Sequence, residues 1–278
     1  MANIAELPLG IYEKAISNHL SWEQKMLLAK ESGFDCIELS IDGTPERLGR
    51  LYDDAFAPEV KAAMKNTGVP FLTFALTANR AYPLGSEDSA VREKALDIAK
   101  RGLALANELG IKVMHITGYD EIGSKCNEHT VELFKESIRA ITELAEQGET
   151  VVAIETMDTE FMGSCRNIAA LCREMNSKKF GIYADVGNLT ALGYDMPDEI
   201  LSCGEYIVGV HVKDTVPNVV RDILFGEGNV DFDAAFKALK GINYSGALIA
   251  EMWSYDKEEF HPNLKKASDF IRAKTANY

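Results

Sequence analysis

No stretch of the 278-residue sequence approaches the roughly 20 consecutive apolar residues that a membrane-crossing helix requires. The opening residues, Met1-Ala2-Asn3-Ile4-Ala5-Glu6, have neither the basic start nor the apolar run of a secretion signal, so a cytoplasmic location is expected. Cysteine is sparse: Cys36, Cys126, Cys165, Cys172 and Cys203 are odd in number, widely spaced and free of any CxxC pair. That spacing argues against a disulfide framework and a cysteine zinc site, and predicts reduced, mostly structural thiols. Basic residues are also in deficit, 29 Lys and Arg against 43 Asp and Glu, and the resulting net charge of -14 would repel nucleic acid and anionic membrane surfaces. No GxGxxG follows the first candidate strand, which removes the usual signature of a dinucleotide-binding open sheet. Linkers, low-complexity tracts and shifts of composition are missing too, so residues 1–278 are expected to form one domain.

What is present is ordinary globular composition, 46% hydrophobic and 26% charged, arranged with a regular beat. Short apolar runs rich in β-branched and aromatic residues occupy 9–12, 36–41, 71–76, 113–117, 151–157, 181–185, 207–212 and 247–253 and are expected to be strands. Amphipathic segments at 21–32, 60–67, 90–109, 128–147, 164–175, 197–201, 232–239 and 264–273 lie between them and are expected to be helices. Gly33, Gly68 and Gly110 stand where a left-handed residue would close a helix before the next strand. Eight strand–helix units of about 35 residues predict a (β/α)8 TIM barrel, an α/β fold whose functional groups sit at the C-terminal strand ends.

Polar residues at those ends are therefore decisive. The last four strands carry Ile154-Glu155-Thr156, Ala184-Asp185-Val186, Val210-His211-Val212 and Ala250-Glu251-Met252. An ionisable group inside an apolar strand is costly unless paired or bound to metal, and four on consecutive strands invite one explanation. Alternation places Glu155 with Ala153, His211 with Gly209 and Glu251 with Ile249, so all can face the barrel mouth. Three carboxylates and an imidazole suit a divalent Zn, Mn, Co or Mg ion. For His115, near the end of the fourth strand, a satisfied core histidine is the expectation, and His19, His129 and His261 read as solvated.

The sequence resembles the L-ribulose-5-phosphate (L-xylulose-5-phosphate) 3-epimerases among the xylose-isomerase-like TIM barrels. Segments carrying the resemblance include Leu7-Pro8-Leu9-Gly10-Ile11-Tyr12-Glu13-Lys14-Ala15, Glu46-Arg47-Leu48, Pro83-Leu84-Gly85-Ser86-Glu87-Asp88 and Gly118-Tyr119-Asp120. Further along come Asp185-Val186-Gly187-Asn188-Leu189, Val210-His211-Val212-Lys213-Asp214-Thr215, Phe225-Gly226-Glu227-Gly228, and Trp253 after Glu251-Met252. The resemblance implies an isomerase that inverts C3 of a pentulose phosphate. It further implies a metal held by Glu155, Asp185, His211 and Glu251, with Glu155 and Glu251 also acting as the acid/base pair. Proton removal next to a ketone and return to the opposite face call for two such groups, and a divalent ion would stabilise the enediolate between them. A related ketose epimerase or an aldose–ketose isomerase on another sugar would use the same apparatus. A DNA-repair endonuclease on this barrel would need more histidines than five and a basic groove.

Candidates for the substrate's phosphate and hydroxyls are Lys213, Arg221, Arg80 and Ser86, the last at an expected helix start, together with Asn188. Each also has an ordinary role open to it: Arg80 and Arg221 as solvated charges, Ser86 as an N-cap, Asn188 as the cap of a short turn. The expected partner is a small sugar phosphate, with a homo-oligomer left open.

Overall fold

All eight apolar runs form strands in the computed structural model, which describes residues 2–121 and 126–278. They are β1 (Leu9–Tyr12), β2 (Cys36–Ile41), β3 (Phe71–Leu76), β4 (Val113–Thr117), β5 (Val151–Glu155), β6 (Phe180–Asp185), β7 (Ile207–Val212) and β8 (Leu248–Ala250). Each pairs in parallel with the next, and β8 returns to β1, giving a closed eight-stranded TIM barrel. Two strands are shorter than their apolar runs suggest. β5 ends at Glu155 because the Met157 N–H turns back to the Met162 carbonyl. β8 covers only three residues, although the Glu251 N–H still donates to the Val212 carbonyl and so remains anchored to β7.

Ten α-helices are found among the described residues: α1 (Trp22–Glu31), α2 (Pro45–Gly49), α3 (Phe56–Thr67), α4 (Ser89–Leu109), α5 (Glu128–Ala145), α6 (Cys165–Met175), α7 (Val186–Ala191), α8 (Met196–Cys203), α9 (Phe232–Gly241) and α10 (Pro262–Thr275). Local chemistry sets their ends. Ser21 and Gln24 form a capping box at the start of α1. Gly68 and Gly110 take φ of 74° and 73° after α3 and α4, a conformation that L side chains resist. α3 starts at Phe56, earlier than expected, since Pro58 in its first turn removes an N–H that the helix does not use. α4 starts at Ser89, capped by Asp88, whose carboxylate accepts from the Ala90 N–H (2.9 Å); the expected helix start at Gly85-Ser86 is thereby corrected.

Alternation along the strands separates two apolar layers. Met114, Ile116, Ile154, Ile182 and Val210 point outward beneath the helices. Tyr12, Cys36, Ala75, Val113, Ala153, Tyr183 and Ile249 fill the barrel interior and form the floor on which the polar residues stand. Two register shifts fall beside that floor, between Ile37 and Glu38 in the β2–β3 pairing and between Ile182 and Tyr183 in the β6–β7 pairing. Bulges of this kind re-aim side chains, and both neighbour residues of the site. No helix among the described residues is long and apolar enough to cross a membrane.

Candidate metal centre and active site

Glu155 closes β5, Asp185 closes β6, His211 is the penultimate residue of β7 and Glu251 follows β8 directly. One ligand atom from each lies within 4.8 Å of those of the others. His211 Nδ1 is 2.9 Å from Glu155 Oε1, 3.8 Å from Glu251 Oε2 and 4.0 Å from Asp185 Oδ2. All four are buried, and Glu155 and Glu251 line a cavity of about 730 Å³ whose wall also includes Tyr12, Lys14, Asp42, Arg47, Arg80, Asn188, Lys213, Arg221 and Trp253; Asp185 and His211 are outside that lining. That volume lies within the range of small-molecule sites.

Asp185 shows how the local fold makes a ligand. Its Oδ1 caps α7 by accepting from the N–H groups of Gly187 (2.8 Å) and Asn188 (3.0 Å), and its own N–H donates to Thr156 Oγ1. Oδ2 is left facing the cluster, buried, and receives no aligned hydrogen bond even though Lys213 Nζ lies 2.7 Å away. Lys213 also reaches Glu251 Oε2 (2.7 Å) and donates to Asn188 Oδ1 (2.9 Å). This ammonium, expected to contact phosphate, is thus enclosed by the acids. A buried, oxygen-rich donor set of three carboxylates and one imidazole fits a divalent cation.

The electrostatics follow from burial and crowding. Burial raises the Glu251 carboxyl, but the Lys213 ammonium and His211 outweigh it and hold the group at about 2. Asp185 is pushed up to about 6, by burial first, with Lys213 opposing and Glu251 adding to the rise. Burial alone would lower His211, yet Glu38, Glu251 and Glu155 raise it well above the usual histidine range.

The remaining candidates separate. Asn188 is buried in the wall, its Nδ2 donating to the Thr156 carbonyl (2.8 Å); the cap of its short helix is Asp185. Arg221 stacks 4.9 Å over the Trp253 ring and Arg80 lies 5.2 Å over Tyr119 with its Nε buried and lacking a hydrogen-bond partner. Both line the cavity. Ser86 is outside that lining, where its Oγ accepts from the Asp88 N–H (3.3 Å). His261 accepts from the Ser17 N–H (3.4 Å). All five cysteines are free, with Cys126 exposed and the rest buried.

Sequence reasoning overlooked Glu38. It is fully buried on β2, accepts from Tyr183 (2.7 Å) and lies 2.7 Å from His211 Nε2. Its signal was the one applied to the later strands, an ionisable residue inside the apolar run Cys36–Ile41. His115 is also more than a satisfied core residue: it is buried between Glu38 (3.5 Å) and Glu155 (3.6 Å), and neither ring nitrogen has an aligned hydrogen bond. Near the mouth, Glu13 is buried against Arg47 (2.8 Å), Arg50 (3.0 Å) and Lys25 (3.2 Å), while Lys14 pairs with Asp42 (2.6 Å). This network holds Arg47 and Lys14 in the cavity wall.

Comparison with known proteins agrees with this architecture. Residues 26–274 match the family model described as xylose isomerase-like TIM barrel. An L-ribulose-5-phosphate 3-epimerase UlaE of Escherichia coli O157:H7 (strain EC4115 / EHEC) is 38% identical over 275 residues, covering 98% of this chain and 96% of that one. Its counterpart in Salmonella heidelberg (strain SL476) is 37% identical over 273 residues with the same coverage. Among solved structures, a D-allulose 3-epimerase from Methylomonas sp. superposes with a TM-score of 0.81 at 19% identity, covering 99% of this chain and 100% of the other. A D-psicose 3-epimerase from Clostridium cellulolyticum H10 gives 0.82 at 16% identity, covering 97% and 99%. At those identities the two structures speak to the fold alone.

Proposed function

Because the chain belongs to the xylose isomerase-like TIM barrel family, we propose that it is a divalent-metal-dependent isomerase interconverting L-ribulose 5-phosphate and L-xylulose 5-phosphate by inversion at C3. The observation that carries this reading is the convergence of Glu155, Asp185, His211 and Glu251 in one buried cluster, two of whose members, Glu155 and Glu251, line the cavity. The relatives above, similar along nearly their whole length, are L-ribulose-5-phosphate 3-epimerases by name. In this reading residues 1–278 act as one catalytic domain.

Glu155 and Glu251 are the acid/base pair. They stand three strands apart in the ring, about 135° around the axis, so they approach a bound ketose from different sides. One takes the C3 proton, giving an enediolate, and the other returns a proton to the opposite face. A divalent Zn, Mn, Co or Mg ion, when held by the four residues, supplies Lewis-acid stabilisation of negative charge on the substrate oxygens. Asp185 and His211 complete the donor set, and Lys213 balances the charge of Asp185 and Glu251.

The phosphate, negative in a chain of net charge -14, requires a locally basic wall. Arg80, at the end of the short 3-10 helix after β3, and Arg221, after β7, present guanidinium groups braced on aromatic rings, and Lys14 and Arg47 line the same cavity. Asn188 stands beside Lys213 near the substrate's hydroxyls. Ser86, away from the lining, has no part in this reading.

Incubation of the metal-loaded protein with L-xylulose 5-phosphate in deuterated water tests the proposal. Deuterium at C3 is the expected result. Label at C1 would assign an aldose–ketose isomerase instead, and no label with the sugar phosphate unchanged would count against both.

A further inference from the structure

Below the four clustered residues lies a second buried carboxylate with no role in the reading above. Glu38 is reached by no solvent, and replacing a buried ion pair by apolar side chains is often neutral or stabilising. Its presence calls for a function beyond packing. The two oxygens have distinct neighbours: Oε2 accepts from the Tyr183 hydroxyl (2.7 Å), with His115 Nε2 at 3.5 Å, and Oε1 lies 2.7 Å from His211 Nε2. The opposite nitrogen of the same ring, Nδ1, is the one that faces Glu155, Asp185 and Glu251.

We propose that Glu38 is a positioning residue for the metal site: by accepting the Nε2 proton of His211 it holds the imidazole in one tautomer and one orientation, with the Nδ1 lone pair aimed at the cation. A charged acceptor behind a metal-bound imidazole also increases the ring's electron donation to the ion. The inference rests on the four residues binding a divalent cation, and it adds a fifth residue from the far side of the barrel.

The backbone supports the arrangement independently. The β2–β3 register shift falls between Ile37 and Glu38, and the β6–β7 shift between Ile182 and Tyr183, so each irregularity adjoins a member of the array. Gly209 completes the cradle. A Cβ there would lie 2.3 Å from the Tyr183 ring, so only glycine leaves room for the tyrosine that anchors the second oxygen of Glu38. Tyr183 and His211 meet edge to face with ring centroids 4.7 Å apart, which confines the imidazole from the side.

Glu38, His115 and His211 also fall within 4.8 Å of one another, a set that could itself be taken for a cation site. An ion there would need the Nε2 lone pair of His211, which the proposed tautomer protonates. The proposal therefore requires one ion per chain.

The test uses zinc and cobalt as probes on the full-length protein. Competition with a chromophoric chelator should show one tight site in the wild type and an affinity about 10- to 100-fold lower in Glu38→Gln, with an altered visible spectrum of the cobalt form. Tyr183→Phe, which keeps the carboxylate, should have a smaller effect. Should Glu38→Gln fold poorly, nitrogen-15 NMR of histidine in the zinc-loaded wild type decides the matter: His211 should be protonated at Nε2 and ligated through Nδ1. Wild-type affinity and spectrum in Glu38→Gln, ligation through Nε2, or two ions per chain would overturn the proposal. A wild type that binds no divalent ion would overturn the metal-site reading along with it.

Discussion

Replacement of Glu13 by Gln perturbs the wall of the cavity without touching its acidic floor. The carboxylate is wholly buried and accepts from Arg47 (2.8 Å), Arg50 (3.0 Å), Lys25 (3.2 Å) and the Ser40 N–H (2.9 Å). Burial pushes its pKa up, but Arg50, Lys25 and Arg47 together overcome that and hold it at about 2, against an ordinary value of 4.5. A depressed carboxyl stabilises the folded state fully above its unfolded pKa and loses that contribution as pH falls toward the folded one. The window here is therefore about pH 4.5 down to about 2, and the shift corresponds to roughly 3 kcal/mol. Removing the charge also strands three cations, for which a total cost of about 3 to 5 kcal/mol at neutral pH is reasonable. Urea unfolding of wild type and Glu13→Gln at pH 7 and pH 3, with chelator in all samples, measures both. The variant should be far less stable at pH 7, with the gap narrowing at pH 3 as the wild type loses its advantage. A variant within about 1 kcal/mol of wild type at pH 7, or a gap independent of pH, would show that the buried Glu13 carboxylate does not stabilise the fold.

Chelation should abolish isomerase activity while leaving the far-ultraviolet circular dichroism almost unchanged, since a barrel of this size has its own apolar core; cooperative loss of helix signal would show the ion to be structural. Arg80→Met and Arg221→Met should each raise KM for the sugar phosphate about tenfold, as expected for a lost hydrogen bond to a charged group, with kcat little changed. The same variants should leave kinetics with the unphosphorylated ketose unaltered, and an equal loss on both substrates would remove these arginines from phosphate binding.

Much of the barrel was legible because the strand signal and its punctuation coincide. Short β-branched and aromatic runs follow helix-ending glycines such as Gly68 and Gly110, and both residues take left-handed backbones. The errors have physical causes. An apolar run reports burial, not ladder pairing, so Met252 is buried although the β8 ladder has already ended. α2 and α7 are too short for an apolar period; their signs are caps, Thr44 with Pro45 for the first and Asp185 for the second. The sequence marks Asp185 as a ligand candidate, whereas its second duty as a cap depends on the backbone of α7, a helix too short to show a period. The four clustered residues could be singled out because each interrupts an apolar strand at a comparable position. Glu38 does the same, but it is 173 residues from His211, and nothing local shows that the two meet. The enclosure of Lys213 by acids and the exclusion of Ser86 from the cavity are likewise products of packing between distant segments.

In the proposed mechanism Glu155 and Glu251 work on opposite faces of one substrate. Glu155→Gln and Glu251→Gln, each reloaded with metal and checked for metal content, can be incubated separately with the two epimers in deuterated water. General acid–base catalysis is typically worth roughly 10²- to 10⁴-fold, so epimerisation should fall by at least that range in both. Each variant should still exchange the C3 proton of one epimer, a different epimer for each, because a working base remains on one face. Near wild-type epimerisation by either metal-loaded variant, or exchange of the same epimer by both, would contradict the account.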